Sequence, residues 1–176
     1  TEWYLNRSRN YKLILYTLCY KIDKVNSLRV REASFRDRYN IYDLIESLHS
    51  VPLKSTDEVT NFNKILTEYI KNPNIKIFVA EENLLDSVEI CGFLSLFVKP
   101  ILFYSYNVCH IEDIVIKDEY KGKGVGAGLL EAAINYGKKI KCKYITVSIE
   151  GGDPMTKKFY KACGFAENSL EMKYYL

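Results

Sequence analysis

The sequence predicts an α/β domain in which a mixed central sheet is flanked by helices. Three observations carry that reading. Two helical patterns precede three β-rich segments in a row, Ile75–Ala80, Val88–Val98 and Val108–Ile116. A glycine-rich stretch, Glu119–Gly126, then separates the last of these from a new helical pattern. A further β-rich segment follows that helix, so an antiparallel meander feeds a β-α-β unit.

The elements follow in order. Residues 1–27 mix aromatic and basic side chains and read as an N-terminal extension, with Leu13–Cys19 as a helix or an added strand. The compact domain is expected to span residues 28–176. Leu28-Arg29-Val30-Arg31 alternates apolar and basic residues, as a half-buried strand does. Ser34 opens a helix running to Leu48, with Asp37 at the third position of a capping box and Ile41, Leu44, Ile45 and Leu48 on one face. A second helix, capped within Ser55-Thr56-Asp57, carries Val59, Phe62, Leu66 and Ile70 and ends at Asn72-Pro73. Pro100 is expected to stop the strand that begins at Val88. A helix over Ala127–Ile140 and a strand over Tyr144–Ile149 come next. Pro154–Cys163 is a short helix closed by Gly164, and Phe165–Tyr175 supplies one or two closing strands.

Composition excludes several classes. The chain has 176 residues, 48% hydrophobic and 27% charged, which fits one globular domain with a core and not a disordered chain. A net charge of +3 is too small for a nucleic-acid-binding face. No run approaches the ~18 apolar residues of a bilayer span, so no membrane association is expected. Five cysteines without a C-x-x-C pair, beside two histidines, support neither a disulfide framework nor a metal site; reduced thiols and a cytoplasmic location are expected.

The stretch Lys121-Gly122-Lys123-Gly124-Val125-Gly126 follows a strand and opens a helix. Its glycines allow positive φ and close backbone approach, and the helix behind it directs unpaired N–H groups at the loop. A pyrophosphate held by backbone suits it, although an ordinary glycine-rich turn is the plain alternative. The spacing Gly122, Gly124, Gly126, Gly128 matches neither the dinucleotide fingerprint nor the P-loop.

The loop resembles the Q/R-x-x-G-x-G/A segment of the GNAT acyltransferase superfamily, with Lys121 where Gln or Arg is usual. Phe159-Tyr160-Lys161-Ala162-Cys163-Gly164-Phe165 resembles a second element of that superfamily. Within it, His110-Ile111-Glu112-Asp113-Ile114, the loop, Phe159-Tyr160 and Glu171-Met172 are similar to the glucosamine 6-phosphate N-acetyltransferases. The resemblance covers roughly residues 28–176. It implies the GNAT fold, acetyl-CoA as cosubstrate without a metal, transfer to the amine of a sugar phosphate on the way to UDP-N-acetylglucosamine, and a homodimer. A GNAT enzyme acting on a polyamine, an amino acid or a protein N-terminus stays open, as does an acyl-CoA-binding module without turnover.

The resemblance assigns roles to particular residues. The backbone of Ile114, Val115 and Ile116 would polarise the thioester carbonyl, and Lys121–Gly126 with Thr156 and Tyr160 would hold the cosubstrate. Tyr160 would protonate the departing thiolate, its plain alternative being a core aromatic. Glu112 and Asp113 would serve at the catalytic centre, Glu112 as ligand of the sugar hydroxyls or amine; both are otherwise structural polar residues at a strand splay. As strand neighbours they point to opposite faces unless a bulge re-aims one. Thr56, Lys99 and Ser148 complete the substrate candidates. Ser148 stands where the family carries an aspartate that Glu150 or Asp153 would replace, Thr156 where it carries an asparagine, and Tyr174-Tyr175 where it carries a basic residue. His110 reads as a hydrogen-bonded strand histidine rather than a base.

Overall fold

The computed structural model describes residues 28–47, 56–84, 87–149 and 153–167. The expectations for residues 1–27, for Glu150 and for the closing strand beyond Glu167 lie outside the described residues.

Five strands form one sheet in the order β1-β2-β3-β4-β5. They are β1 (Leu28–Glu32), β2 (Ile75–Asn83), β3 (Val88–Ile101), β4 (Tyr106–Ile116) and β5 (Ile145–Val147). The first four are antiparallel neighbours, and β5 runs parallel to β4. Helices α1 (Arg38–Glu46) and α2 (Thr56–Lys71) precede β2, and α3 (Val125–Lys139) joins β4 to β5. These elements belong to one compact unit; helix α4 (Pro154–Ala162) belongs to another.

Each sheet face has its own cover. Ile41 and Leu44 of α1 and Leu66 of α2 share a core with Ile77, Val79, Ile90, Phe93 and Val115. On the other face α3 lies so close that a Cβ at Gly92 would stand 2.8 Å from the Val115 carbonyl and 3.2 Å from Val125. Gly92 is therefore fixed by close approach.

The capping box forms: the Ser34 N–H donates to Asp37 Oδ2 at 2.7 Å. The helix opens as a single 3-10 turn, Phe35–Asp37, and α1 ends at Glu46, two residues short of the expected end. The strand expected to stop at Pro100 continues to Ile101. The last β2 partner on β3 is Phe97, so Pro100 meets only β4 and its missing N–H costs no ladder bond on the β2 side. Helix α3 begins at Val125 because Gly124, at φ 88°, is itself the N-cap. Gly164, at φ 92°, follows α4, and its N–H donates to the Lys161 carbonyl at 3.0 Å. Residues 165–167, expected to begin a strand, carry no regular structure.

One buried ionic cluster fastens β1 to β2 and to the turn before α1. Arg31 donates to both carboxylate oxygens of Asp37, at 2.9 and 2.8 Å, and to Glu81 at 2.6 Å. Burial pushes the Asp37 carboxyl up, but the Arg31 and Ser34 hydrogen bonds outweigh it and hold Asp37 below its ordinary range. The folded value lies below the unfolded one. This contribution is therefore complete above the unfolded carboxylate range, about pH 4, and is lost as pH falls through the folded value. In Arg31→Met, Asp37 loses its cation and Glu81 keeps only the longer contact to Arg29, at 3.8 Å. Stability should fall by about 3 kcal/mol, the low end for breaking a buried pair because Arg31 is partly exposed. Acid titration followed by circular dichroism should show unfolding at a higher pH than in the parent chain.

Candidate functional site

Ser95 pairs with Asp113 and Leu96 with Ile111, so Glu112 is an extra residue on β4. This β-bulge reverses the strand's alternation. The Cys109 N–H donates towards β5, to the Tyr144 carbonyl at 3.1 Å. The Lys117 N–H donates towards β3, to the Cys91 carbonyl at 3.0 Å. The two residues are an even number of positions apart and would point the same way in a regular strand. Side chains switch as well: Cys109 faces Gly137 of α3, whereas Val115 lies in the core beneath α1 and α2.

The reversal creates an open backbone edge. Counting back from Lys117, Val115 points its N–H at β3, and Ile114 and Ile116 point theirs the other way. Strand β5 pairs only with Cys109, His110 and Ile111. No described strand meets β4 on that side beyond the bulge.

The bulge also brings polar groups to one face. Asp113 accepts a hydrogen bond from the Ser95 hydroxyl at 2.7 Å. Glu112 Oε2 is 3.9 Å from His110 Nε2, and His110 Nδ1 is 2.8 Å from the Thr146 hydroxyl on β5. The Tyr69 ring of α2 stands edge-on to Phe97, the β3 partner of His110, with centroids 5.4 Å apart. Burial, then the charges of Asp113 and Glu112, raise the Tyr69 phenol above its ordinary value. Lys99 is exposed on the same strand face as Phe97, nearer the end of β3.

The glycine-rich turn starts where β4 ends. Gly122 has φ 76° and Gly124 φ 88°, conformations that glycine adopts without strain. The Lys123 N–H donates to the Tyr120 carbonyl at 3.3 Å, and the first helical bond runs from the Gly128 N–H to the Gly124 carbonyl at 3.0 Å. The N–H groups of Val125, Gly126 and Ala127 thus precede the helical ladder, at the positive end of the α3 dipole. Val125 is buried and seats the turn in the core. Lys121 pairs with Asp118 at 2.5 Å, and Lys123 lies over the Tyr120 ring at 5.0 Å.

Beneath the turn, Glu82 of β2 and Glu89 of β3 face each other in register. Tyr120 offers its single phenol proton to both, at 2.5 and 2.9 Å, and Lys117 donates to Glu89 at 2.5 Å. The hydrogen bond to Glu82, then burial, hold Tyr120 well above the ordinary phenol range. The Lys117 and Tyr120 hydrogen bonds hold Glu89 below the ordinary carboxylate range.

The second unit carries all the remaining candidates but Thr56. Asp153 caps α4, accepting from the N–H groups of Met155 at 3.2 Å and Thr156 at 2.9 Å. It also accepts from the Thr156 hydroxyl at 2.5 Å. Those bonds hold Asp153 below its ordinary range, so its carboxylate is engaged as a cap, and Thr156 is engaged with it. Tyr160 is buried between Phe159 and Phe165, with centroids 5.2 and 5.4 Å away. Burial pushes its phenol up to about 12. Ser148 is exposed just beyond β5, and Thr56 opens α2 with its side chain outside the described residues.

The sequence model of the Acetyltransferase (GNAT) family matches residues 38–165. The chain belongs to that family. Glucosamine 6-phosphate N-acetyltransferase 1 of Dictyostelium discoideum is 27% identical over 135 residues, which are 76% of this chain and 81% of that protein. Among solved structures, a putative acetyltransferase of Agrobacterium tumefaciens superposes with a TM-score of 0.74 at 24% identity, covering 84% of this chain and 99% of that one. Glucosamine 6-phosphate N-acetyltransferase of Arabidopsis thaliana superposes with a TM-score of 0.68 at 21% identity, covering 85% and 99%. These superpositions establish the GNAT fold, and membership of the family implies acetyl-CoA as the acyl donor.

Sequence reasoning missed Ser95, Tyr69, Thr146 and the Tyr120 latch. A serine inside the apolar run Gly92–Val98 was a usable signal, since a polar group there needs a partner. Tyr69 sits beside Ile70 on a helix whose apolar stripe had already been counted, and nothing local marked it. Replacing Tyr120 with Phe leaves two facing carboxylates without their shared donor. The Tyr120→Phe variant should lose about 1–3 kcal/mol of stability in urea titration at neutral pH. The deficit should shrink as the medium is made acidic enough to protonate Glu82 and Glu89.

Proposed function

We propose that this GNAT domain transfers the acetyl group of acetyl-CoA to the amine of glucosamine 6-phosphate. The observation that supports this best is the bulge at Glu112. It puts two carboxylates on one face beside a backbone edge whose N–H groups have no strand partner among the described residues, and that edge leads directly into the glycine turn.

Each group has a part. Backbone N–H groups of Lys121–Gly126 hold the pyrophosphate, aided by the α3 dipole and by the charge of Lys121 and Lys123. The N–H groups of Ile114 and Ile116, flanking Val115, polarise the acyl carbonyl from a fixed position. Glu112 and Asp113 hold the sugar's hydroxyls and amine, with Ser95 fixing Asp113. Lys99 contributes to the phosphate, Thr56 and Ser148 to the sugar, and Thr156 to the cosubstrate. Acetyl-CoA supplies the activated acyl group, and the chain supplies orientation and charge stabilisation. Tyr160 donates its phenol proton to the departing sulfur. The unit spans residues 28–176, works in the cytoplasm in UDP-N-acetylglucosamine synthesis, and pairs as a homodimer. The glucosamine 6-phosphate N-acetyltransferases among its relatives support the substrate.

The substrate is tested by thiol release from acetyl-CoA against glucosamine 6-phosphate, glucosamine and spermidine. Two or three charge-assisted hydrogen bonds to the phosphate, each about 1.5–3 kcal/mol, should favour the phosphorylated sugar by roughly 10²–10⁴-fold in kcat/KM. Equal efficiency on both sugars would leave only a general amine acetyltransferase. For Tyr160→Phe, general-acid catalysis predicts a roughly 10²–10⁴-fold slower single-turnover step with acetyl-CoA affinity unchanged. A phenol raised to about 12 is a weak donor to a thiolate, which places the expectation at the lower end. A loss of only a few-fold would make Tyr160 a packing residue.

A further inference from the structure

At one end of the sheet the chain leaves apolar surface in the open. The β3–β4 hairpin reverses through a single 3-10 turn, Leu102–Tyr104, closed by the Ser105 N–H donating to the Leu102 carbonyl at 3.3 Å. At its apex Leu102 is 94% and Phe103 87% exposed. Tyrosines stand behind the apex in an unbroken series of ring contacts. Phe103 is edge-on to Tyr104 at 4.8 Å, Tyr104 stacks on Tyr106 at 5.4 Å, and Tyr106 is edge-on to Tyr144 at 6.1 Å. The connection from α3 to β5 arrives at the same place, where the Lys143 N–H donates to the Asn107 carbonyl at 2.8 Å. The end of α3 and this connection carry Lys138, Lys139, Lys141 and Lys143, all exposed. None of the four has an ion-pair partner among the described residues. Residues 99–111 and 132–149 contain no acidic residue. Lys138 and Lys139 also complement the C-terminal dipole of α3, but Lys141 and Lys143 lie beyond the helix.

We propose that this end of the sheet docks on an anionic lipid surface. A bilayer interface sorts groups by depth, and the hairpin presents them in that order. Acyl chains take the apex of Leu102 and Phe103, the headgroup boundary takes the tyrosine rings, and anionic headgroups take the lysines. Two other occupants fit less well. A second copy on a two-fold axis would set the same lysines against one another, with no acid in either segment to meet them. Stacked bases need open ring faces, and Tyr104 and Tyr106, only 5° from parallel, each spend one face on the other. The expectation of no membrane association came from the lack of a bilayer span, and no described helix is long and apolar enough to cross one. A surface contact needs no span. The glycine turn lies at the other end of α3, about 20 Å away along the helix, so docking does not cover it.

The test sediments the full chain with vesicles of phosphatidylcholine alone, or of phosphatidylcholine with about one-third phosphatidylserine. The chain should pellet with the second and not the first, and most binding should be lost between about 0.1 M and about 0.5 M salt. Lys141→Gln/Lys143→Gln should weaken partitioning by roughly 25-fold, about fivefold per charge. Leu102→Ser/Phe103→Ser should weaken it by about tenfold or more. With the anionic vesicles, Phe103→Trp should show a blue shift of emission beyond that of the parent, whose own tryptophan is Trp3. Each variant should keep the parent's acetyl-CoA affinity in calorimetry, a check on the fold that involves no turnover. No binding to the anionic vesicles, or binding that neither double variant weakens, overturns the proposal. Binding without the blue shift, matched by poly(U), overturns it in favour of a polyanion. A dimer in analytical ultracentrifugation that Leu102→Ser/Phe103→Ser splits overturns it in favour of a second copy. Acetylation of any amine, or of none, leaves these readouts unchanged, so this inference and the proposed function fail separately.

Discussion

One inserted residue in a central strand governs the arrangement described above. Strand β4 begins as the regular partner of β3 and β5 and ends with the opposite hand of alternation, and Glu112 is where the change occurs. Without it, the N–H groups of Ile114 and Ile116 would be spent on β3. Val115 would face α3 instead of the core beneath α1 and α2. The cost is one residue left out of the ladder, small beside the burial that surrounds it. Phe93, Leu94, Leu96 and Ile111, almost fully buried, pin β3 and β4 on either side, so the irregularity is confined and cannot migrate.

The sheet's two covers divide the labour. Helix α3 sits close to the strands, with Gly92 admitting it, and its N-terminus is the cradle of the glycine turn. Helices α1 and α2 rest on ordinary branched side chains and frame the polar face with Tyr69. The Arg31 cluster fastens the edge where α1 departs from β1. It is a rigid ionic joint, because Asp37 is held both by a guanidinium fork and by the backbone of Ser34.

Much of this was legible in the sequence, because local rules governed it. The order of elements, the capping box at Ser34 and Asp37, the closing glycine at 164 and the glycine turn follow from residue types whose backbone preferences act over a few positions. Pro100 misled because a proline's effect depends on whether a neighbouring strand needs its N–H, a matter of where β2 ends. The bulge was written in the sequence only obliquely, as the pattern Ile111-Glu112-Asp113-Ile114, in which two polar residues interrupt a strand alternation. Apart from His110, on the same strand, the groups around the two acids come from three other elements: Ser95 from β3, Thr146 from β5 and Tyr69 from α2. Their meeting is a property of register and helix placement, which no window of sequence contains.

The latch under the glycine turn has a consequence for the thermodynamics of binding. Tyr120, Glu82, Glu89 and Lys117 hold the turn from behind, through groups that no ligand needs to touch. The conformational entropy of ordering that turn is therefore lost when the chain folds, not when a ligand arrives. On the proposed role of the turn, association would meet a preordered cradle, and its rate would be set by encounter and orientation, with no slow ordering step. The same wiring would make affinity at such a cradle hostage to the interior: a change that disturbs the carboxylate pair from the far side would loosen the turn and weaken a ligand it never contacts.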